Sequence, residues 1–161
     1  MATAREVATA SYQVTLTAYN AVPSQTDNNP SVTASGARSN SEVIAARSQD
    51  LAQELPFGTV VKLTRVADDS PSCRFHQVEE LIGYRVIADT MNARFTKRVD
   101  VELDTSDKVT VEGRAVNPAV AVGVCGHVKV TVVGQLPVSR IPKTQTELAS
   151  LFAPKELAIN R

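Results

Sequence analysis

What most limits the fold of this chain is its punctuation: short alternating or β-branched runs, each closed by turn-forming residues. Residues 12–19 set Val14, Leu16 and Ala18 on one face and Gln13, Thr15 and Thr17 on the other, the period-two signature of a half-buried strand. Residues 59–66, 83–88, 99–103 and 128–133 read as further strands, and 32–34 and 43–46 as shorter ones. Helix is expected only in small pieces. One spans 48–55, with Ser48 as N-cap and Asp50 in its first turn, and ends at Pro56-Phe57-Gly58. Residues 23–30 and 68–72 are turn-rich, and the polar segment from there to Glu80 reads as irregular. Residues 119–124 are apolar and fit either a short helix or a buried strand. The expected class is therefore mainly β, a compact barrel rather than an α/β sheet. The domain runs over 12–134. Beyond it, residues 135–161, broken by Pro137, Pro142 and Pro154, form an arm with one short helix near 146–152, packed on the barrel or on a protein partner.

Composition excludes several function classes. The 17 basic and 17 acidic side chains cancel, which removes the electrostatic case for a nucleic-acid binder. No run approaches the roughly 18 apolar residues of a membrane span. Trp is absent and aromatics are 4%, so contact with a polysaccharide would be mostly hydrogen-bonded. Cys73 and Cys125 are too few for a disulfide framework or a Cys-rich zinc site; they form one bridge or remain two thiols. With two histidines, His76 and His127, and no HExxH word, neither a metal nor a cofactor is expected. The first ten residues lack an apolar signal-peptide core as they stand, so the chain is made without a leader or has had one removed.

Three aspartates stand out. Asp27 lies in the polar loop ending at Pro30. Asp89 ends the apolar strand of residues 84–88. Asp100 sits in Arg98-Val99-Asp100-Val101-Glu102-Leu103, where alternation turns it away from the valines, with Arg98 and Glu102 on its side. Taken singly, each has a plain structural reading: a loop cap, a strand-end turn former and a polar residue of an edge strand.

The words around them, in this order, resemble the 3D, or three-aspartate, domain: Thr17-Ala18-Tyr19-Asn20, residues 25–30, Thr33-Ala34-Ser35-Gly36, Leu55-Pro56-Phe57-Gly58-Thr59, residues 88–94 and Arg98-Val99-Asp100-Val101. That domain occurs in membrane-bound lytic transglycosylase A and in stationary-phase muralytic proteins. The resemblance covers about residues 15–133. It implies a six-stranded double-psi β-barrel, related to rare-lipoprotein-A-like proteins, with short helices and a C-terminal extension. It further implies cleavage of peptidoglycan glycan strands without water, in the cell envelope or in a secreted protein, phage-encoded proteins included. In that reading Asp89 is the acid, Asp100 its partner and Asp27 the third carboxylate. Thr17, Tyr19, Thr33, Ser35, Thr90, Asn92 and Arg98 are candidate sugar or carboxylate contacts.

The chemistry fits the residue types. A free aspartic acid titrates near 3.9, so a general acid working at neutral pH needs burial or a second carboxylate to hold its proton. With the substrate's own hydroxyl as nucleophile, one carboxyl acts first as acid and then as base. Two departures bear on turnover and preference. Met91-Asn92 stands where many family members have Gly-Gly, and residues 104–118 are extra sequence. The rival expectation is a non-catalytic glycan-binding or wall-loosening barrel. A third is an enzyme acting on another polysaccharide. Asp89-Thr90 also resembles the start of the Asp-Thr-Gly word of retroviral-type aspartic proteases, but the Gly and a second copy are missing.

Overall fold

The computed structural model describes residues 10–21 and 31–152; Asp27 and its loop, residues 23–30, lie outside them. The strands are β1 (Ser11–Tyr19), β2 (Ile44–Arg47), β3 (Thr59–Arg65), β4 (Tyr84–Thr90), β5 (Arg98–Glu102), β6 (Val109–Val111), β7 (Arg114–Val116) and β8 (Cys125–Gln135). The helices are α1 (Phe75–Ile82), α2 (Pro118–Val122) and α3 (Gln145–Phe152). Six strands close into a ring in the order β1-β5-β2-β4-β3-β8, with β8 returning to β1. The pairs β1–β5 and β2–β4 are parallel and the other four antiparallel.

Alternation explains the ring. One side chain in two, including Val14, Leu16, Ala45, Val61, Ile87, Val99, Val101, Val128 and Val130, joins a common apolar interior. A second cluster on the outside, Val43, Ile44, Val60, Val86 and Ala88, is covered by the arm: Leu148 of α3 is fully buried against it and Ile141 and Phe152 pack beside it. The described part of the arm thus docks on its own ring. Gln145 fixes it there, its side-chain amide accepting from the Tyr84 N–H and donating to the Tyr84 and Glu42 carbonyls. Gly58 is required where it stands: at φ +97° a Cβ would lie 2.2 Å from the Leu136 carbonyl oxygen.

Several expectations need correction. The polar segment before Glu80 ends in α1, because Phe75, Val78 and Ile82 fall on one helical face and are buried, while Asp69 accepts the His76 N–H near its start. The helix expected over 48–55 is one 3-10 turn, Gln49–Leu51. Ser48 makes no side-chain cap there; its hydroxyl accepts the Arg98 N–H. Residues 32–34 form no strand beyond a single bridge between Val32 and Arg38. Strand β5 is not at an edge, since β1 and β2 flank it. The apolar stretch 119–124 is largely helix, with Asn117 as its N-cap and Pro118 in the first turn. Within 104–118, β6 and β7 form a hairpin turning at Glu112 and Gly113, both at positive φ.

Cys73 and Cys125 are disulfide-bonded, 52 residues apart in sequence. The bridge ties the segment before α1 to the start of β8. Closing a loop of that length restricts the unfolded chain, so breaking the bridge in the Cys73→Ala/Cys125→Ala variant should cost about 2–4 kcal/mol. Urea denaturation with and without reductant measures this; an unchanged midpoint would mean that the bridge contributes nothing to stability.

Candidate active site

The candidate site is a row of acidic groups on the outer face of the ring. On β5, Val99 and Val101 enter the interior, which leaves Arg98, Asp100 and Glu102 outside. Ala46 of β2 is the central partner: it stands opposite Asp100 on one side and Asp89 on the other. The two aspartates are therefore level with each other, two strand spacings or about 10 Å apart along the sheet. On the far side of β5, Thr17 faces Asp100 and Tyr19 faces Glu102 in the parallel register with β1.

Period two alone would send Asp89 the other way. Asp89 follows Ile87 by two residues, and Ile87 pairs with Ala45 in the interior. The register slips between Ala45 and Ala46, so Ala46 meets Asp89 instead of Ala88. This bulge inserts one residue into β4, and Ala88 and Asp89 both come to the outer face. Bulges commonly re-aim a side chain next to a site. Here the bulge keeps a carboxyl out of an apolar core.

Each aspartate is tethered through Oδ1. Asp89 Oδ1 accepts the N–H groups of Ala34 and Thr90, both at 2.9 Å, and the Tyr19 hydroxyl lies 3.5 Å from Oδ2. Asp100 Oδ1 accepts the Thr17 hydroxyl at 3.0 Å. Burial pushes the Asp100 carboxyl up to about 6, with the nearby Asp89 charge adding to the rise, against the Thr17 hydrogen bond and the Arg98 charge. Burial likewise pushes Glu102 up to about 7, offset in part by the Asn40 N–H, the Arg85 charge and the Tyr19 hydroxyl. Glu102 is 3% exposed and, among the described residues, its Oε1 has no hydrogen-bond partner. Burial and the three surrounding carboxylates raise the Tyr19 phenol far above its ordinary range, so it remains a neutral donor. Tyr19, Ala46 and Met91 make an apolar floor, with Phe95 beside it. A cavity of about 480 Å³, lined in part by Asn40, Ser41, Glu102 and Asp104, adjoins the Glu102 end of the row.

The sequence candidates divide on this geometry. Asp89, Asp100, Thr17 and Tyr19 come together, with Arg98 on the same strand face, and Asp27 lies outside the described residues. Thr33 and Ser35 spend their hydroxyls on each other and on the main chain of Ala37. Thr90 bonds the Arg47 guanidinium at 3.1 Å, and that guanidinium itself stacks on Phe57 and bonds the Leu55 carbonyl. Asn92 Oδ1 accepts the Arg94 N–H and makes a turn. Three participants were missed: the Glu102 carboxyl, the Ala34 N–H and the Phe95 ring. Glu102 was visible as the i+2 neighbour of Asp100. The Ala34 N–H carries no side-chain signal.

Among the described residues, no three His, Cys, Asp or Glu side chains gather closely enough to hold a metal ion, and no helix is long and apolar enough to cross a membrane. No protein-family model matches the chain, and no curated protein matches it either.

Proposed function

We propose that the chain is a lytic transglycosylase of the three-aspartate type, acting on the glycan strands of peptidoglycan in the cell envelope or outside the cell. The observation that carries this reading is the level pair Asp89 and Asp100, with a half-buried Asp100 carboxyl that holds its proton to about pH 6. That value lies in the range of known glycosidase acids. The double-psi barrel belongs to the same proposal, and the two parallel pairs within an otherwise antiparallel six-stranded ring support it. The disulfide is in keeping with an oxidising compartment.

The chemistry needs one proton and no water. Asp100, in its protonated form, gives its proton to the glycosidic oxygen as the bond from that oxygen to C1 breaks. Asp89, its Oδ1 pinned by two N–H groups, presents a fixed negative group to the oxocarbenium-like ring. The ionised Asp100 then takes the proton of the C6 hydroxyl as that oxygen closes on C1. The products are a free 4-hydroxyl end and a 1,6-anhydro end, and the acid is regenerated. The acid role that the family resemblance implies for Asp89 is thus assigned to Asp100, and Asp89 becomes its charged partner.

The test is mass spectrometry of purified sacculi after incubation. Native protein should release anhydro-muropeptides, and Asp89→Asn and Asp100→Asn should each lower the yield by about a hundredfold or more. Absence of anhydro ends with native protein would overturn the reading. One observation favours the rival, a non-catalytic glycan-binding module: Met91 packs into the floor of the site at a position where Gly-Gly would leave the backbone open. Co-sedimentation with sacculi but no new ends would select it.

A further inference from the structure

Beside the acidic row stands a basic wall that the proposed chemistry does not use. The Arg94 and Arg98 guanidinium carbons lie 4.7 and 4.6 Å from the centroid of the same Phe95 ring. Phe95 in turn packs against the floor residues Tyr19, Ala46 and Met91. Arg98 shares the β5 face with Asp100, close enough for its charge to act on that carboxyl. Among the described residues, neither guanidinium has a carboxylate partner or a side-chain hydrogen bond, and Arg98 Nε is buried without a partner. Stacking on one ring limits the motion of two long side chains, so less freedom is lost when they take a ligand.

We propose that Arg94 and Arg98 form an anion-accepting subsite of the groove, and that its ligand is a sugar ring carrying a carboxylate. This inference rests on reading the groove as a glycan site, and it adds a selectivity which the acidic row lacks. Carboxylates next to carboxylates repel an acidic glycan. Two guanidinium groups without a carboxylate partner, at the Arg98 end of β5, offset that repulsion and fix which ring of a peptide-free strand, whose lactyl carboxylates are free, lies over Asp89 and Asp100. Arginine suits the task because its planar fork matches a carboxylate.

N-acetylmuramic acid and N-acetylglucosamine are the probes, since they differ only by an O-linked lactyl carboxylate. In amide-shift NMR titrations at low salt, the acidic sugar should bind about tenfold more tightly, and the advantage should shrink as salt is raised. Arg94→Gln should remove most of the advantage while leaving the neutral sugar's binding unchanged. The Arg94→Gln/Arg98→Gln double variant should remove the rest. Glucuronate against glucose is a second pair that tests the charge without the acetamido group. Equal binding of the two amino sugars, no binding of either, or an advantage that survives in the double variant would overturn the proposal. Its failure is separable from that of the lyase reading. A protein that prefers the acidic sugar but leaves sacculi uncut keeps the subsite and loses the enzyme; one that cuts sacculi without the preference does the reverse.

Discussion

Arg85→Met should cost about 3–7 kcal/mol of folding free energy. Arg85 is completely buried. Its guanidinium donates to five main-chain carbonyl oxygens: Leu81 and Ile82 at the end of α1, Ser41, Ile44 of β2 and Glu102 of β5. Two effects compete. Burial lowers the Arg85 pKa to about 10, so keeping the charge inside costs the fold roughly 3 kcal/mol. Removing the group leaves up to five buried acceptors unpaired at about 1–3 kcal/mol each. At about 2 kcal/mol each, the second effect wins even if water reaches two of them. Arg85→Lys, with three donors in place of a fork, should recover only part of the loss. Urea unfolding of the three proteins gives the numbers, and a cost below 1 kcal/mol for Met would show that the carbonyls find other partners. Because Arg85 holds the Ile44 and Glu102 carbonyls together, a partial loss should also loosen the strands that carry Ala46 and Asp100.

The second large effect is on stability against pH. In the folded chain Asp100 and Glu102 keep their protons to about pH 6 and 7, against ordinary values of 3.8 and 4.5. The folded state therefore binds more protons than the unfolded state across pH 4–7. Stability must then be greatest below about pH 4 for these two groups, and fall as pH rises through 6 and 7. Asp100 alone accounts for up to about 3 kcal/mol over that window. Asp50 and Asp104 are shifted downward by their hydrogen bonds and work in the opposite sense below pH 4, but both are solvent-facing, so their effect is small. Asp100→Asn and Glu102→Gln should each flatten the fall and stabilise the protein at pH 8. The double variant should gain less than the sum, because both carboxyls feel Asp89. Chemical denaturation at pH 4.5, 6 and 8 decides it; stability that is flat or rising over this range would remove the basis for a proton-holding carboxyl. A site that costs stability at neutral pH is what a functional acid would impose.

The two predictions mark how far the sequence could be read. Alternation in β5 is local, so the turning of Arg98, Asp100 and Glu102 away from the core was legible from Val99 and Val101 alone. The mainly-β character was legible for the same reason. The short helix α1 was not: polar residues outnumber its three buried positions, and only the core that receives Phe75, Val78 and Ile82 makes it a helix. Nor does sequence spacing show that Cys73 reaches Cys125, since their meeting depends on the path of α1, β4 and β5 between them.

By itself, then, the amino-acid order determined which residues alternate, where the turns fall and which acidic side chains adjoin apolar runs, because these depend on neighbours one or two positions away. Only the closed ring decided that Asp89 and Asp100 flank the same alanine, that a one-residue slip in register brings Asp89 outside, and that Glu102 is buried deeply enough to hold a proton. Those three outcomes depend on cross-strand pairing and on desolvation by distant segments, and neither is a property of any stretch of chain taken alone.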